Sequence, residues 1–267
     1  MPKPTLNLRR VLVSAALVSL VLSYALLWLR MMTTWEEYTG ADFIAFYAAG
    51  RIAGNEGAEH SYDLALQRQY EEGVVGFEIH PEHISPYLHP PFIVPIAQLV
   101  SLENFRLSFA LWNLVMVAFL ALGTVPLLRL FRDSFDRRQR ALLAASVMLF
   151  YPSYVSLVNG QDSAILFFGG CLWLYGMLGR RDWVAGLGLA VLATRPHIAL
   201  PLALPFLFRQ RRVWWWFVLG VLLLAGFSFA YAGWGGVEGF LRVLLVSASD
   251  ATRDEIQDTA VMTDEIH

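Results

Sequence analysis

Apolar stretches about as long as a bilayer is thick recur along this chain, and nothing constrains its folding more. They cover residues 11–29, 105–128, 141–158, 163–178 and 213–231. A helix needs about 20 mostly apolar residues to cross the hydrocarbon layer. The runs are continuous rather than alternating, which excludes an outer-membrane barrel, whose strands alternate lipid-facing and lumen-facing residues. Hydrophobic residues make up 57% of the chain and charged residues 16%, against roughly 45–50% and about 25% in soluble domains. A soluble enzyme and a disordered chain are excluded. The single cysteine, Cys171, forms no internal disulfide, and a net charge of −2 offers nucleic acid no basic face. The fold class that follows is all-α, a polytopic transmembrane helix bundle.

Lys and Arg orient the spans. Thirteen of the twenty sit in four places: Lys3 with Arg9 and Arg10, residues 129–140, Arg180 with Arg181, and residues 209–212. These are the expected cytoplasmic ends. Residues 31–104 carry eleven acidic residues against Arg51, Arg68 and four histidines, so this large loop faces outward. The chain therefore divides into a cytoplasmic N-terminus and first span (1–30), an extracytoplasmic loop (31–104), a transmembrane bundle (105–231) and a polar C-terminal tail (232–267). Residues 183–208 are apolar but interrupted by Thr194-Arg195-Pro196-His197. Both flanks are basic, which favours a broken hairpin with Arg195 near its apex over a single kinked span. In the outer loop, Asp42 opens an amphipathic stretch with Phe43, Phe46 and Tyr47 on one face, and Ser61 is placed to cap a second. Such helices lie along a membrane surface. Phe92 to Leu102, broken by Pro95, is too short to span and reads as re-entrant or interfacial.

Few residues offer chemistry. Asp42 has two roles open to it: helix cap, since Asp at an N-terminus accepts backbone N–H bonds, or general base at the membrane surface. Gln161 and Asp162 form an outward polar pair in Asn159-Gly160-Gln161-Asp162, either a simple turn or part of a site. An Arg inside an apolar run, such as Arg195, is costly and marks a functional site by default. Its guanidinium grips a phosphate, or it merely snorkels to the headgroups. The spacing of His80, His83 and His89 matches no helix-based zinc motif, and no metal site is assigned.

The motifs Gly40-Ala41-Asp42-Phe43 with Phe46-Tyr47, Tyr62-Asp63, Tyr87-Leu88-His89-Pro90-Pro91, Asn159-Gly160-Gln161 and Thr194-Arg195-Pro196, in this order, resemble glycosyltransferase family 87. That family consists of integral-membrane, GT-C-type transferases using polyprenyl-phosphate sugars, mannosyltransferases among them. The chain departs from the family pattern at His89, usually Tyr, and at Arg195, often Lys. Members commonly continue through further spans where this chain ends in a polar tail, so a C-terminally truncated member is expected. The resemblance implies a GT-C-like bundle in the plasma (inner) membrane, with its active site facing outward. It implies inverting transfer of a mannose-like hexose from a polyprenyl-phosphate donor to a lipid or glycan acceptor. Asp42 would be the general base. Arg195, with His89 or His197, would stabilise the phosphate, while Gln161 and Tyr47 would contact substrate. No cofactor or metal is required. An inactive homologue, an assembly partner for a second membrane subunit, and a small lipid or solute transporter are the alternative functions.

The charge distribution makes a topological prediction. Reporter fusions at residues 75 and 135 should report outside and inside respectively, and the opposite pair of signals would overturn the orientation.

Overall fold

The computed structural model describes residues 8–33, 42–80 and 83–264. Lys3, Gly40, Ala41, Pro81, Glu82 and residues 265–267 of the polar tail lie outside the described residues. Among the described residues every regular element is helical. Helix α1 is Leu8–Thr33, and the loop between α1 and the next long helix folds into α2 (Phe43–Asn55), α3 (Leu64–Val75) and α4 (Val94–Val100). Then follow α5 (Phe105–Leu130), α6 (Arg137–Leu149), α7 (Tyr151–Val158), α8 (Ser163–Leu178), α9 (Asp182–Val191), α10 (Pro196–Arg209) and α11 (Arg211–Asp264). Phe105–Leu130, Arg137–Val158 and Arg211–Ser247 are long and apolar enough to cross a membrane; the apolar stretches Val11–Leu27 and Ser163–Leu178 are shorter. Leu12, Leu26, Leu114, Leu122, Leu222 and Leu223 are exposed on α1, α5 and α11. Exposed apolar area of this extent is unfavourable in water and costs nothing against lipid tails.

Small residues set the packing of the bundle. A Cβ on Gly176 would meet Ala185, and one on Gly188 would meet Trp173, so α8 and α9 run antiparallel in close contact. A Cβ on Gly186 would lie 2.3 Å from the Trp216 Cβ, and Gly220 faces Ala190, so α9 and α11 run parallel. Helix α10 joins the far end of α9 to the start of α11 and therefore runs back. Residues 182–209 form a hairpin with Arg195 at the apex, the alternative that the flanking charges favour. Its arms are short: ten residues of α9 rise about 15 Å at roughly 1.5 Å per residue, well under the thickness of the hydrocarbon core.

This loop is packed against the bundle rather than laid flat. Helix α2 is buried along almost its whole length, from Phe43 through Gly50 and again at Ile52 and Ala53. Phe43 and Phe46 pack on Trp112 of α5 at ring distances of 5.8 and 4.4 Å. An amphipathic surface helix would leave one side in water; this one is enclosed because its polar-side positions are alanine and glycine. The cap of α3 is Asp63, which accepts from the Ala65 and Leu66 N–H groups at 2.9 and 3.2 Å. Ser61 instead gives its carbonyl to Gln67 Nε2 at 2.7 Å. Pro95 begins α4 rather than breaking it, in the first turn where a missing N–H is harmless. Beyond the break at Gly233 (φ 63°), α11 packs onto the loop that carries α2 and α3, with Phe240 5.7 Å from Tyr62 and Val243 buried. The expected boundary at 232 falls inside this helix.

Three side chains of α3 hold the extended segment that follows it. Gln67 Oε1 accepts from Tyr87 N at 3.0 Å, Glu72 Oε1 from Ile79 N at 3.0 Å and Glu71 Oε2 from Ser85 N at 3.3 Å. Glu71 is only 1% exposed, and burial pushes its carboxyl up to about 7, against a smaller downward pull from the Ser85 N–H. The folded chain thus binds this proton more tightly than the unfolded chain. The stabilisation is complete below the ordinary Glu value and is lost as pH rises through about 7. We expect the parent, in detergent, to lose on the order of 2–3 kcal/mol between pH 5 and pH 8 relative to Glu71→Gln. Superimposable thermal-melt pH profiles for the two proteins would contradict this.

Candidate functional site

The site is organised by the turn between α7 and α8. The Asn159 carbonyl accepts from Phe43 N at 3.3 Å, joining the turn to the start of α2. Gly160 has φ 67°, and a Cβ there would lie 2.4 Å from the Phe43 Cβ. Only glycine satisfies both the left-handed backbone and the close approach. With the turn seated in this way, Gln161 Nε2 donates to Asp42 Oδ2 at 2.7 Å. Asp42 occupies the cap position of α2 but its side chain makes no capping hydrogen bond. Of the two roles open to Asp42 in the sequence, capping is not the one its side chain plays.

The next residue, Asp162, is fully buried. Its Oδ1 accepts from Arg195 Nη2 at 2.9 Å. Its Oδ2 lies 3.2 Å from His89 Nδ1, without an aligned N–H···O geometry. Burial alone would raise the Asp162 pKa; the contacts and charge of His89 and Arg195 outweigh burial and hold it below the ordinary carboxylate range. Asp162 is therefore an anion held between Arg195 and His89, since a buried carboxylate must be paired to remain charged.

His89 reaches this carboxylate because the segment clamped by α3 ends at Tyr87. Its ring lies 4.4 Å from Phe46 and 5.4 Å from Tyr87, and its carbonyl accepts from the Tyr62 hydroxyl at 2.6 Å. Pro90 and Pro91 then start a short 3-10 turn. Arg195 sits at the hairpin apex with φ −125° and ψ 86°, the extended conformation expected before Pro196. Its side chain is 37% exposed, so one amino group is committed to Asp162 while the rest of the fork remains accessible, although Nε itself is buried and unpartnered. Next to both residues lies an apolar cavity of about 340 Å³, lined among others by Pro90, Phe92, Pro196, Leu200, Phe217 and Phe240.

The structure thus brings Asp42, Gln161, His89 and Arg195 to one end of α8 and α9. Two expected site residues lie elsewhere. Tyr47 turns away from Asp42, donates to the Glu103 carbonyl at 3.4 Å and lines a separate polar cleft. His197 is exposed in the first turn of α10, and no hydrogen bond or ion pair links it to the cluster among the described residues. Sequence reasoning left Asp162 open between a turn and a site and gave it no role of its own. The signal that could have found it is charge: an Arg within an apolar run needs a counter-ion, and Asp162 lies at the edge of another such run.

No group of three or more His, Cys, Asp or Glu side chains able to hold a metal ion occurs among the described residues. Comparison with known proteins matches the chain, over residues 87–263, to the sequence profile of glycosyltransferase family 87. The match takes in His89, Gln161, Asp162 and Arg195; Asp42 and Tyr47 precede it. No curated protein and no solved structure matches. The profile spans about two thirds of the chain, on a helical scaffold with spans long enough for a bilayer, and the chain therefore belongs to glycosyltransferase family 87, a family of GT-C-type membrane glycosyltransferases.

Proposed function

We propose that this membrane glycosyltransferase moves a mannose-like hexose from a polyprenyl-phosphate donor to a lipid or glycan acceptor, with inversion, at the outer face of the plasma membrane. The observation that carries the reading is the meeting of a carboxylate on the outer loop, Asp42, with a buried charged cluster, Asp162–Arg195–His89, through adjacent residues of one turn. The acceptor hydroxyl oxygen attacks the anomeric carbon and its proton passes to an Asp42 carboxylate oxygen. The bond from that carbon to the phosphate oxygen breaks, and its electron pair leaves with the polyprenyl phosphate. This leaving group needs positive charge rather than a proton.

Arg195 supplies that charge. Asp162 holds one amino group of the guanidinium and fixes its plane, which leaves further N–H donors for a phosphate oxygen. Asp162 also cancels one positive charge, so His89, when protonated, restores a net cation to the trio. The apolar cavity beside Pro90 and Pro196 suits the first isoprenoid units of the donor. Gln161 holds the Asp42 carboxylate in place and has its own carbonyl oxygen for a sugar hydroxyl. The basic end of the bundle, Arg180 with residues 209–212, lies at the opposite end of the hairpin from this site. Positive charge marks the cytoplasmic side, which supports an outward-facing reaction.

Two variants test the reading in membranes supplied with radiolabelled polyprenyl-phosphate sugars. Asp42→Asn keeps the hydrogen bond from Gln161 within reach but removes the base, and transfer should fall by ~10²–10⁴ with expression unchanged. Arg195→Gln should weaken donor binding by roughly 10–150-fold and Arg195→Lys by less, since Lys keeps the charge and loses the fork geometry. Near-normal turnover in Asp42→Asn would remove the base from this position. Parent-like donor binding in Arg195→Gln would remove the phosphate from this site. Donor binding without transfer by the parent would favour an assembly or binding role over catalysis.

A further inference from the structure

At the far end of the hairpin, four arginines meet around one cavity. Arg180 follows α8, Arg209 ends α10, and Arg211 and Arg212 begin α11; they line a cavity of about 920 Å³ together with Gln210 and Asp182. Among the described residues, Asp182 is the only carboxylate lining it. None of the four guanidinium groups takes part in a hydrogen bond or ion pair among the described residues, whereas the neighbouring Arg181 is held by the Tyr175 hydroxyl at 2.9 Å. Like charges brought together from separate chain segments repel unless an anion lies between them. Two of them occupy the first turn of α11, which contains no acidic residue, although a helix N-terminus disfavours cations. Exposed aromatic side chains surround this end: Phe208 at 75%, Trp215 at 65% and Trp183 at 53%. Such side chains gather at the level of lipid headgroups. Along α10 and the first turns of α11, Leu200, Leu204, Leu219, Leu222 and Leu223 are exposed, a surface suited to acyl chains.

We infer that this cavity binds the phosphate headgroup of an anionic phospholipid, whose chains lie along α10 and α11 and whose charge draws together the two feet of the Arg195 hairpin. Basic pockets between membrane helices on the cytoplasmic side recognise such headgroups. The inference does not depend on glycosyl transfer, and binding at this end is measured without donor or acceptor.

The test uses the full chain in neutral detergent, with native mass spectrometry and thermal melts. The probes are dioleoyl phosphatidylglycerol, dioleoyl phosphatidylcholine and water-soluble glycerol 3-phosphate. The parent should retain the glycerol lipid over the choline lipid by about tenfold and melt at a higher temperature with it. Arg209→Gln/Arg212→Gln should weaken that retention by about tenfold or more, from roughly a fivefold loss per arginine. A control pair in another basic segment, Arg137→Gln/Arg138→Gln, should leave it unchanged. Should the double variant fail to express, Arg180→Asn carries the test, since Asn accepts the φ of 51° found there while removing one charge. An unchanged lipid preference in the expressed variants, or an equal loss in the control pair, overturns the inference. Equal protection by millimolar glycerol 3-phosphate would make the ligand a soluble phosphate and overturn it as well.

Discussion

A single buried carboxylate ties the functional end of this molecule together. Asp162 has no exposed surface, and an isolated anion in such a place would be driven to take up a proton. It stays charged because Arg195 comes to it from the hairpin apex and His89 from the segment after α3. The contact therefore joins three separate segments: the start of α8, the top of the α9–α10 hairpin, and the chain leaving the α3 clamp. Its neighbour Gln161 adds the fourth, the start of α2 with Asp42. A pair of this kind contributes little net stability. Its value lies in specifying one arrangement of segments that hydrophobic burial alone would leave free to slide.

The hairpin follows from the same requirement. A guanidinium cannot sit in hydrocarbon without a partner, so the apex must rise to the level of the turn at 159–162. Small residues let it do so beside its neighbours: Gly186 admits Trp216, and Gly188 admits the Trp173 backbone. Without a hydrophobic force between helices in lipid, such close approach is what holds them together. The feet carry the arginines, the apex carries the buried ion pair, and the polarity of the hairpin is fixed at both ends.

Much of this could be read from the chain itself. Long apolar runs announce membrane helices because composition alone decides that question, and the family could be recognised from the order of its short motifs. Asp42, Gln161 and Arg195 stood out because polar residues in such surroundings need a reason, and His89 entered through the family resemblance. The Asp162 partnership was not legible, because Asp in an Asn-Gly turn is ordinary local chemistry and the charge that gives it meaning lies 33 residues away. Nor was the cap at Asp63, which stands two residues beyond Ser61 and accepts from the Ala65 and Leu66 N–H groups in its place. Tyr47 shares a motif with Asp42, yet five residues of helix turn it to another face. The enclosure of α2 was hidden for a related reason: alanine and glycine read as neutral in an amphipathic pattern, but they are what permits neighbours to close over a helix.

The most direct measurement of this organisation is a double-mutant cycle between Asp162→Asn and Arg195→Gln, read as thermal stability of the detergent-solubilised chain. If the ion pair joins the turn to the hairpin, each single change strands a charge. The double variant is then less destabilised than the sum of the two, with a coupling above about 0.5 kcal/mol. Additivity within about 0.3 kcal/mol would mean that the two residues do not sense one another, and would contradict the arrangement described for this site.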